Sequence, residues 1–236
     1  MLLKDALNTL FPKNCDICGR VSDTTIAGAY LCKKCMSKVV PEESSRRWQF
    51  CRSEPDGSDH SKELRLYVPF RYDGSVSQMV HALKFGNKDA IGDLMGRLLG
   101  HCLIKDGVDI DCIVPVPLSE QRLRERGYNQ AQIIAESLGR MLDKPVLPYV
   151  LYRTRNTGRQ AMCSDNMMRA VNVHGAFARD ESYELSGSKI LLLDDVVTTG
   201  NTLCEAAETL SGGVFDGKIL CCAFAGNRAV KNVETY

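Results

Sequence analysis

Ile190-Leu191-Leu192-Leu193-Asp194-Asp195-Val196-Val197-Thr198-Thr199-Gly200-Asn201-Thr202 is the segment that decides how this chain reads. Its four consecutive apolar residues make a strand buried on both faces, as in the interior of a parallel sheet. Two aspartates stand at the carboxyl end of that strand. A loop of small hydroxyl residues with a glycine then opens a helix over about 201–211. In an open α/β sheet, ligands bind where strands end and helices begin. Free N–H groups at the helix N-terminus, beside the Thr198, Thr199 and Thr202 hydroxyls and a permissive Gly200, form a cradle for a phosphate. Asp194 and Asp195 offer only acceptors, which suits vicinal ribose hydroxyls. A plainer reading is a strand ending in a surface acidic pair before a capped helix, but neither feature requires the whole combination.

Outward from this segment, strand and helix patterns alternate. Lys218–Phe224 reads as a second strand, Asp111–Pro115 as a buried one, and Leu66–Tyr72 as a strand that Pro69 would place at an edge. Helical spacing runs through 75–85 and 88–105, where Ile91, Leu94, Met95, Leu98, Leu99 and Cys102 share a face, and through about 128–142. Residues 145–151 read as a further edge-like strand, and 153–176 as a long irregular stretch rich in Arg, Asn and Met. The alternation predicts an α/β fold: an open, mostly parallel sheet with helices on both faces. The polar, turn-rich stretch 41–64 reads as a connector. With 236 residues, the chain holds one full domain over 65–236 and a small module with its linker over 1–64.

That small module is written in cysteines. Cys15-x-x-Cys18 and Cys32-x-x-Cys35 are two knuckles separated by thirteen residues, room for a short hairpin built from the β-prone run Thr24–Leu31. Such paired spacing predicts a structural four-cysteine zinc site. A redox dithiol pair or an iron–sulfur cluster are the alternatives. Lys13, Arg20, Lys33 and Lys34 lie beside the ligands and offset their charge. Eleven cysteines in all, an odd number without a secretion signal, argue against a disulfide framework. Cys51 reads as a free thiol in the linker. Cys102, Cys112, Cys204, Cys221 and Cys222 read as small buried hydrophobes.

The net charge of +1 gives no global polyanion signature. Between 120 and 160, however, eight basic residues face four acidic ones, a local excess that fits pyrophosphate or single-stranded DNA. No apolar run reaches the roughly 18 residues of a membrane span, so no membrane insertion is expected and the cytoplasm is the expected compartment. Leu3, Leu7 and Leu10 suggest a short amphipathic helix packed on the core.

The thirteen residues from Ile190 to Thr202 resemble the PRPP-binding signature of type I phosphoribosyltransferases. The wider order is similar to the ComF/ComFC family of competence-associated, amidophosphoribosyltransferase-like proteins. It runs through the cysteine knuckles, Tyr72-Asp73-Gly74, Lys84-Phe85, Val114-Pro115-Val116-Pro117-Leu118, Arg126-Gly127-Tyr128-Asn129-Gln130-Ala131, Thr157-x-x-Gln160, Arg169, Asn172 and Gly175-Ala176-Phe177. The resemblance implies a type I phosphoribosyltransferase-like sheet with an N-terminal zinc-binding module. It implies that Asp194 and Asp195 hold the ribose hydroxyls at the catalytic centre, and that Thr198, Thr199, Gly200, Asn201 and Thr202 wrap the 5′-phosphate. Val116, Pro117, Leu118 and Ser119 would form the pyrophosphate loop, with Arg122, Arg124, Arg126 and Arg159 as further pyrophosphate or DNA contacts. Mg²⁺ would accompany PRPP, and 153–176 would form the hood that closes over it. The implied activity is phosphoribosyl transfer to a nitrogen acceptor, in the context of DNA uptake. The competing expectation is a non-catalytic protein binding PRPP and single-stranded DNA, together with other competence machinery proteins.

Overall fold

A computed structural model describes residues 13–22, 24–52, 63–86, 89–154, 175–212 and 215–227. The segment 1–12, where an amphipathic helix is expected, lies outside them, as does most of the expected hood. The chain opens with a hairpin of β1 (Thr25–Ile26) and β2 (Ala29–Tyr30) and the short helix α1 (Lys33–Met36). Then come β3 (Trp48–Arg52), β4 (Glu63–Tyr67), β5 (Phe70–Arg71), α2 (Gly74–Phe85) and α3 (Asp89–Lys105). The second half holds β6 (Cys112–Pro115), α4 (Glu120–Arg126), α5 (Gln130–Leu142), β7 (Leu151–Arg153), β8 (Phe177–Arg179), β9 (Lys189–Val197), α6 (Asn201–Leu210) and β10 (Lys218–Gly226).

The main sheet has the order β3-β4-β10-β9-β6, with β5 also on β10. Strands β4, β10, β9 and β6 run parallel, and β3 adds one antiparallel edge. The expected mostly parallel sheet is therefore the observed one. The reading of 41–64 as a plain connector is corrected: the β-prone Trp48-Gln49-Phe50-Cys51 run forms the edge strand β3. Pro69 lies between β4 and β5, where its missing N–H costs no ladder bond. The strand expected over 145–151 is shifted. Val146 makes an isolated bridge to Ile113, and β7 begins at Leu151, where it pairs with β8 in a separate two-stranded sheet. The seven residues of α4 form a helix that sequence periodicity did not signal, since none of them is buried.

The two nine-residue strands β9 and β10 separate two cores. Leu191, Leu193, Cys222 and Phe224 point to one face, beneath α2, α3 and α5. Ile190, Leu192, Cys221 and Ala223 point to the other, beneath α6 and the β7–β8 pair. This period-of-two division is what a strand covered on both faces requires. The cysteines 102, 112, 204, 221 and 222 are all buried.

Two contacts fix the helical layer over the first face. Gly92, Gly96 and Gly100 recur every fourth residue on α3 and let α5 approach closely. A Cβ on Gly96 would lie 2.5 Å from Ser137 Cβ and 2.6 Å from the Ile134 carbonyl oxygen. Just past the end of α3, Asp106 is buried with Arg47, whose Nη1 donates to Asp106 Oδ2 at 2.9 Å. Tyr67 Oη and Ser44 Oγ each donate to the same carboxylate at 2.7 Å. Burial opposes ionisation there, but these donors hold the Asp106 carboxyl below its ordinary range. The network ties the entry to β3 onto the sheet.

Gly96→Ala is expected to destabilise the protein by about 1–3 kcal/mol in urea unfolding, because the new methyl meets backbone that cannot yield. Arg47→Met should cost more, about 3–5 kcal/mol at pH 7, since it leaves Asp106 buried without its cation. Asp106 titrates lower in the folded state than in the unfolded one. Its stabilisation is thus present above the ordinary carboxylate pKa and is lost as pH falls below it. The deficit of Arg47→Met relative to the parent should accordingly shrink in urea titrations at progressively lower pH.

Candidate functional site

Strand β9 carries Asp194 and Asp195 through the carboxyl end of the sheet. Asp195 N–H donates to Asp194 Oδ1 at 2.8 Å, and Val196 N–H donates to Asp195 Oδ1 at 2.8 Å. Lys84 Nζ, from the last turn of α2, lies 2.8 Å from Asp195 Oδ2. Burial, and then the adjacent Asp195 charge, push the Asp194 carboxyl up to about 7. The site thus holds two carboxylates in different electrostatic surroundings: Asp195 is buried and paired with a lysine, and the half-buried Asp194 lies against the desolvating packing of the strand.

Beyond Val197 the backbone turns through Thr198, Thr199 and Gly200. Both threonines are exposed, and Gly200 takes a left-handed φ of 87° as the N-cap of α6. Glycine meets that requirement at little cost. With no side-chain cap on α6, its first N–H groups and positive dipole end are directed at this loop. Asn201 and Thr202 begin the helix and are half-buried. The structure therefore brings Asp194, Asp195, Thr198, Thr199, Gly200, Asn201 and Thr202 into one strand–loop–helix unit.

The loop 116–119 lies alongside. Val116 N–H donates to the Leu193 carbonyl at 2.8 Å, which extends the β6–β9 ladder by one residue. The Val116 carbonyl accepts from Asn129 Nδ2 at 2.9 Å, and the Pro117 carbonyl accepts from Arg153 Nε at 2.9 Å. Ser119 caps α4, its Oγ accepting from Arg122 N–H at 3.3 Å. Val116 N–H is committed and Pro117 has none, so the remaining backbone N–H groups of the loop are those of Leu118 and Ser119.

Arg153 was legible in the sequence only as part of the basic excess. Its guanidinium packs over Phe177 at 4.4 Å from the ring centroid while holding the 116–119 loop. Burial lowers its pKa, and the charges of Asp194 and Glu205 oppose that effect. Glu205, buried on α6, accepts from Ala176 N–H through Oε1 at 2.6 Å. Thr154 N–H donates to the Ala176 carbonyl, and Thr154 Oγ1 donates to the Gly175 carbonyl at 2.8 Å. These bonds join the two ends of the 155–174 stretch. Thr157, Arg159, Gln160, Cys163, Arg169 and Asn172 lie within that stretch, outside the described residues.

The three arginines of α4 do not act alike. Arg122 and Arg126, four apart, share a side of the helix. Arg126 Nη1 donates to Gln130 Oε1 at 2.8 Å. Arg124, two residues from each, turns away and pairs with Glu120 at 3.3 Å while its side chain stays 69% exposed. A stack of three convergent arginines is thereby excluded.

At the other end of the chain, the sulfur atoms of Cys15, Cys18, Cys32 and Cys35 all lie within 4.8 Å of one another. Cys18 Sγ and Cys32 Sγ are 3.7 Å apart, near the roughly 3.8 Å edge of a tetrahedron with 2.3 Å zinc–sulfur bonds. Arg20 Nε lies 3.4 Å from Cys18 Sγ and lowers that thiol to about 6, which favours the thiolate a metal needs. The hairpin between the knuckles forms as expected, turning through Ala27 and Gly28, both at positive φ. Four soft sulfur donors in this arrangement can hold a metal such as zinc. Cys15, Leu31 and Cys35 are buried in the same core cluster as residues of α2 and α3, so the module is packed on the helical layer. The described part of Cys51 extends only to its backbone in β3.

The chain is similar to several known proteins. The phosphoribosyl transferase domain family matches residues 123–235. DNA utilization protein YhgH of Escherichia coli (strain K12) is 29% identical over 201 residues, 83% of each chain. Competence protein F of Haemophilus influenzae is 34% identical over 153 residues, 62% of this chain and 66% of that protein. Competence protein ComFC of Bacillus subtilis is 35% identical over 98 residues, 42% of this chain and 37% of that one. A solved hypoxanthine phosphoribosyltransferase from Staphylococcus aureus aligns over 63% of this chain and 69% of its own, at 12% identity and a TM-score of 0.38. The competence and DNA utilization relatives, together with the phosphoribosyl transferase domain over residues 123–235, support the ComF/ComFC family for this chain.

Proposed function

We propose that this protein binds PRPP with Mg²⁺ at the carboxyl end of β9 and transfers its phosphoribosyl group to a nitrogen acceptor, in the context of DNA uptake. The observation that carries the reading is the Asp194–Asp195 pair placed directly before the open N-terminus of α6. Asp194 and Asp195 would accept from the ribose 3′- and 2′-hydroxyls. Thr198 through Thr202 would surround the 5′-phosphate, chiefly with backbone N–H groups. Leu118 and Ser119 would supply donors to the pyrophosphate, and Arg153 holds their loop in place. The hard carboxylate oxygens of Asp194 and Asp195 suit Mg²⁺, which would accompany PRPP there and supply positive charge to its phosphates. In the transfer, the acceptor nitrogen forms a bond to C1′ with inversion, the C1′–oxygen bond breaks, and pyrophosphate departs with the bonding pair. The acceptor's proton passes to solvent or a basic group. The Lys84 ammonium, 2.8 Å from Asp195 Oδ2, would lie within reach of an anionic ligand.

A second reading keeps the same PRPP site without turnover and adds single-stranded DNA. It is favoured by the exposed Arg122 and Arg124 of α4, which follows the 116–119 loop. Other competence proteins would then be the partners, with the cytoplasm as the compartment. No helix among the described residues is long and apolar enough to cross a membrane. The four cysteines would hold a structural zinc in either case, and the division at residue 64 belongs to the same proposal.

Asp195→Asn and Thr199→Val are each expected to weaken PRPP–Mg²⁺ binding by about 1–3 kcal/mol in calorimetry. The aspartate variant loses acceptor strength, and the threonine variant loses a hydroxyl and crowds the cradle. Wild-type affinity in both would refute the site assignment, and pyrophosphate release with a panel of bases and amines separates the two readings. Asp194 titrates near 7 in the free protein and binds as the anion. PRPP affinity should therefore rise from pH 6 to pH 8, and Asp194→Asn should flatten that rise. Metal analysis should find one zinc per chain. Because the knuckles share a core with α2 and α3, Cys32→Ser should lower the melting temperature of the whole protein in one transition. Independent melting of the first forty-odd residues would show that the shared core contributes little.

A further inference from the structure

Phe85 is 68% exposed although it ends a helix whose Met79, Val80 and Leu83 are fully buried. A single exposed aromatic is ordinary. This one has company from three directions. The His81 ring, one turn earlier, lies 4.8 Å from the Phe85 centroid, and the Arg126 guanidinium lies 5.7 Å from it. Tyr128 Oη donates to the Leu83 carbonyl and pins this turn to the segment that carries Arg126. Next to the ring opens a cleft of about 270 Å³ between α2 and the first cysteine knuckle, with Asp16 and Ile17 on one wall and Gln78, His81 and Phe85 on the other.

We infer that this cleft binds one nucleobase, stacked on Phe85. Its volume lies just below the roughly 300–1,000 Å³ of pockets for drug-sized ligands, the scale of a single flat ring system. An aromatic face suits a base, and nearby Arg126 adds attraction for an adjoining phosphate. The Gln78 amide offers both donors and an acceptor to a ring edge. Lys84, the residue before Phe85, reaches Asp195, so the same last turn of α2 touches both the cleft and the acidic pair. It also gives the metal module a part in ligand binding, because one wall of the cleft is the knuckle itself. The base comes from a free acceptor or from a single-stranded oligonucleotide. The acceptor role rests on the PRPP reading, and the stacking site does not.

The test uses the full chain, with adenosine, cytidine and a ten-residue oligothymidylate as probes, each with and without PRPP and Mg²⁺. Phe85→Ala should weaken binding of the nucleosides, the oligothymidylate or both by about tenfold, which is about 1.4 kcal/mol. Phe85→Tyr should restore it, and PRPP–Mg²⁺ affinity should stay within twofold in both variants. Phe85→Trp adds a direct readout, since a stacked base quenches indole fluorescence, and equal melting temperatures establish that the variants fold. Nucleoside binding that tightens with PRPP identifies an acceptor site; oligothymidylate binding alone identifies a strand site. Either result supports the platform, even if PRPP itself fails to bind and the phosphoribosyl reading falls. The inference is overturned if no probe binds the parent protein at millimolar concentration, if Phe85→Ala binds every probe as the parent does, or if its PRPP affinity falls in step with probe affinity.

Discussion

Burial of β9 on both faces is the constraint from which the rest of the molecule follows. With β10 parallel on one side and β6 on the other, its backbone groups are consumed by the ladder. Its side chains then alternate between two cores, and each core demands its own cover. Helices α2, α3 and α5 cover one face; α6 and the β7–β8 pair cover the other. The carboxyl end of β9 is where this burial gives way. At Asp194 the strand still lies in the sheet but its side chain is no longer apolar, and the chain turns out of the ladder within a few residues.

That placement explains the electrostatics. An aspartate at the end of a buried strand is desolvated by the same packing that makes the strand stable, so Asp194 is driven toward neutrality. Asp195, one residue on, turns to the other side and meets Lys84. The two carboxyls differ because strand side chains alternate, and the helix that supplies the lysine is present because the first core must be covered. Fold and site chemistry share one cause.

The metal module is joined to this arrangement in the same way. Cys15 and Cys35 are buried against α2 and α3, and the Arg47–Asp106 pair holds the following segment onto the end of α3. The close α3–α5 approach through Gly92, Gly96 and Gly100 keeps that layer thin and positions α5 beside β6 and β9. The first knuckle is thereby set against the last turns of α2, the helix that also carries Lys84 and Phe85.

Much of this was legible in the residues alone. Four apolar residues followed by Asp-Asp, Thr-Thr-Gly and a helix can satisfy burial, hydrogen bonding and backbone geometry together only as a strand, loop and helix start. Two Cys-x-x-Cys pairs likewise fix a four-sulfur cluster, because short-range spacing determines how the thiols converge. Long-range partners were not legible. Nothing in the spacing pairs Lys84 with Asp195 across 111 positions, sets Arg153 on the Pro117 carbonyl, turns Arg124 away from Arg122 and Arg126, or makes β3 from a stretch rich in turn residues. Local sequence determines which conformations a segment can adopt; which distant side chains meet depends on how two cores pack around one sheet, and only the tertiary structure decides that.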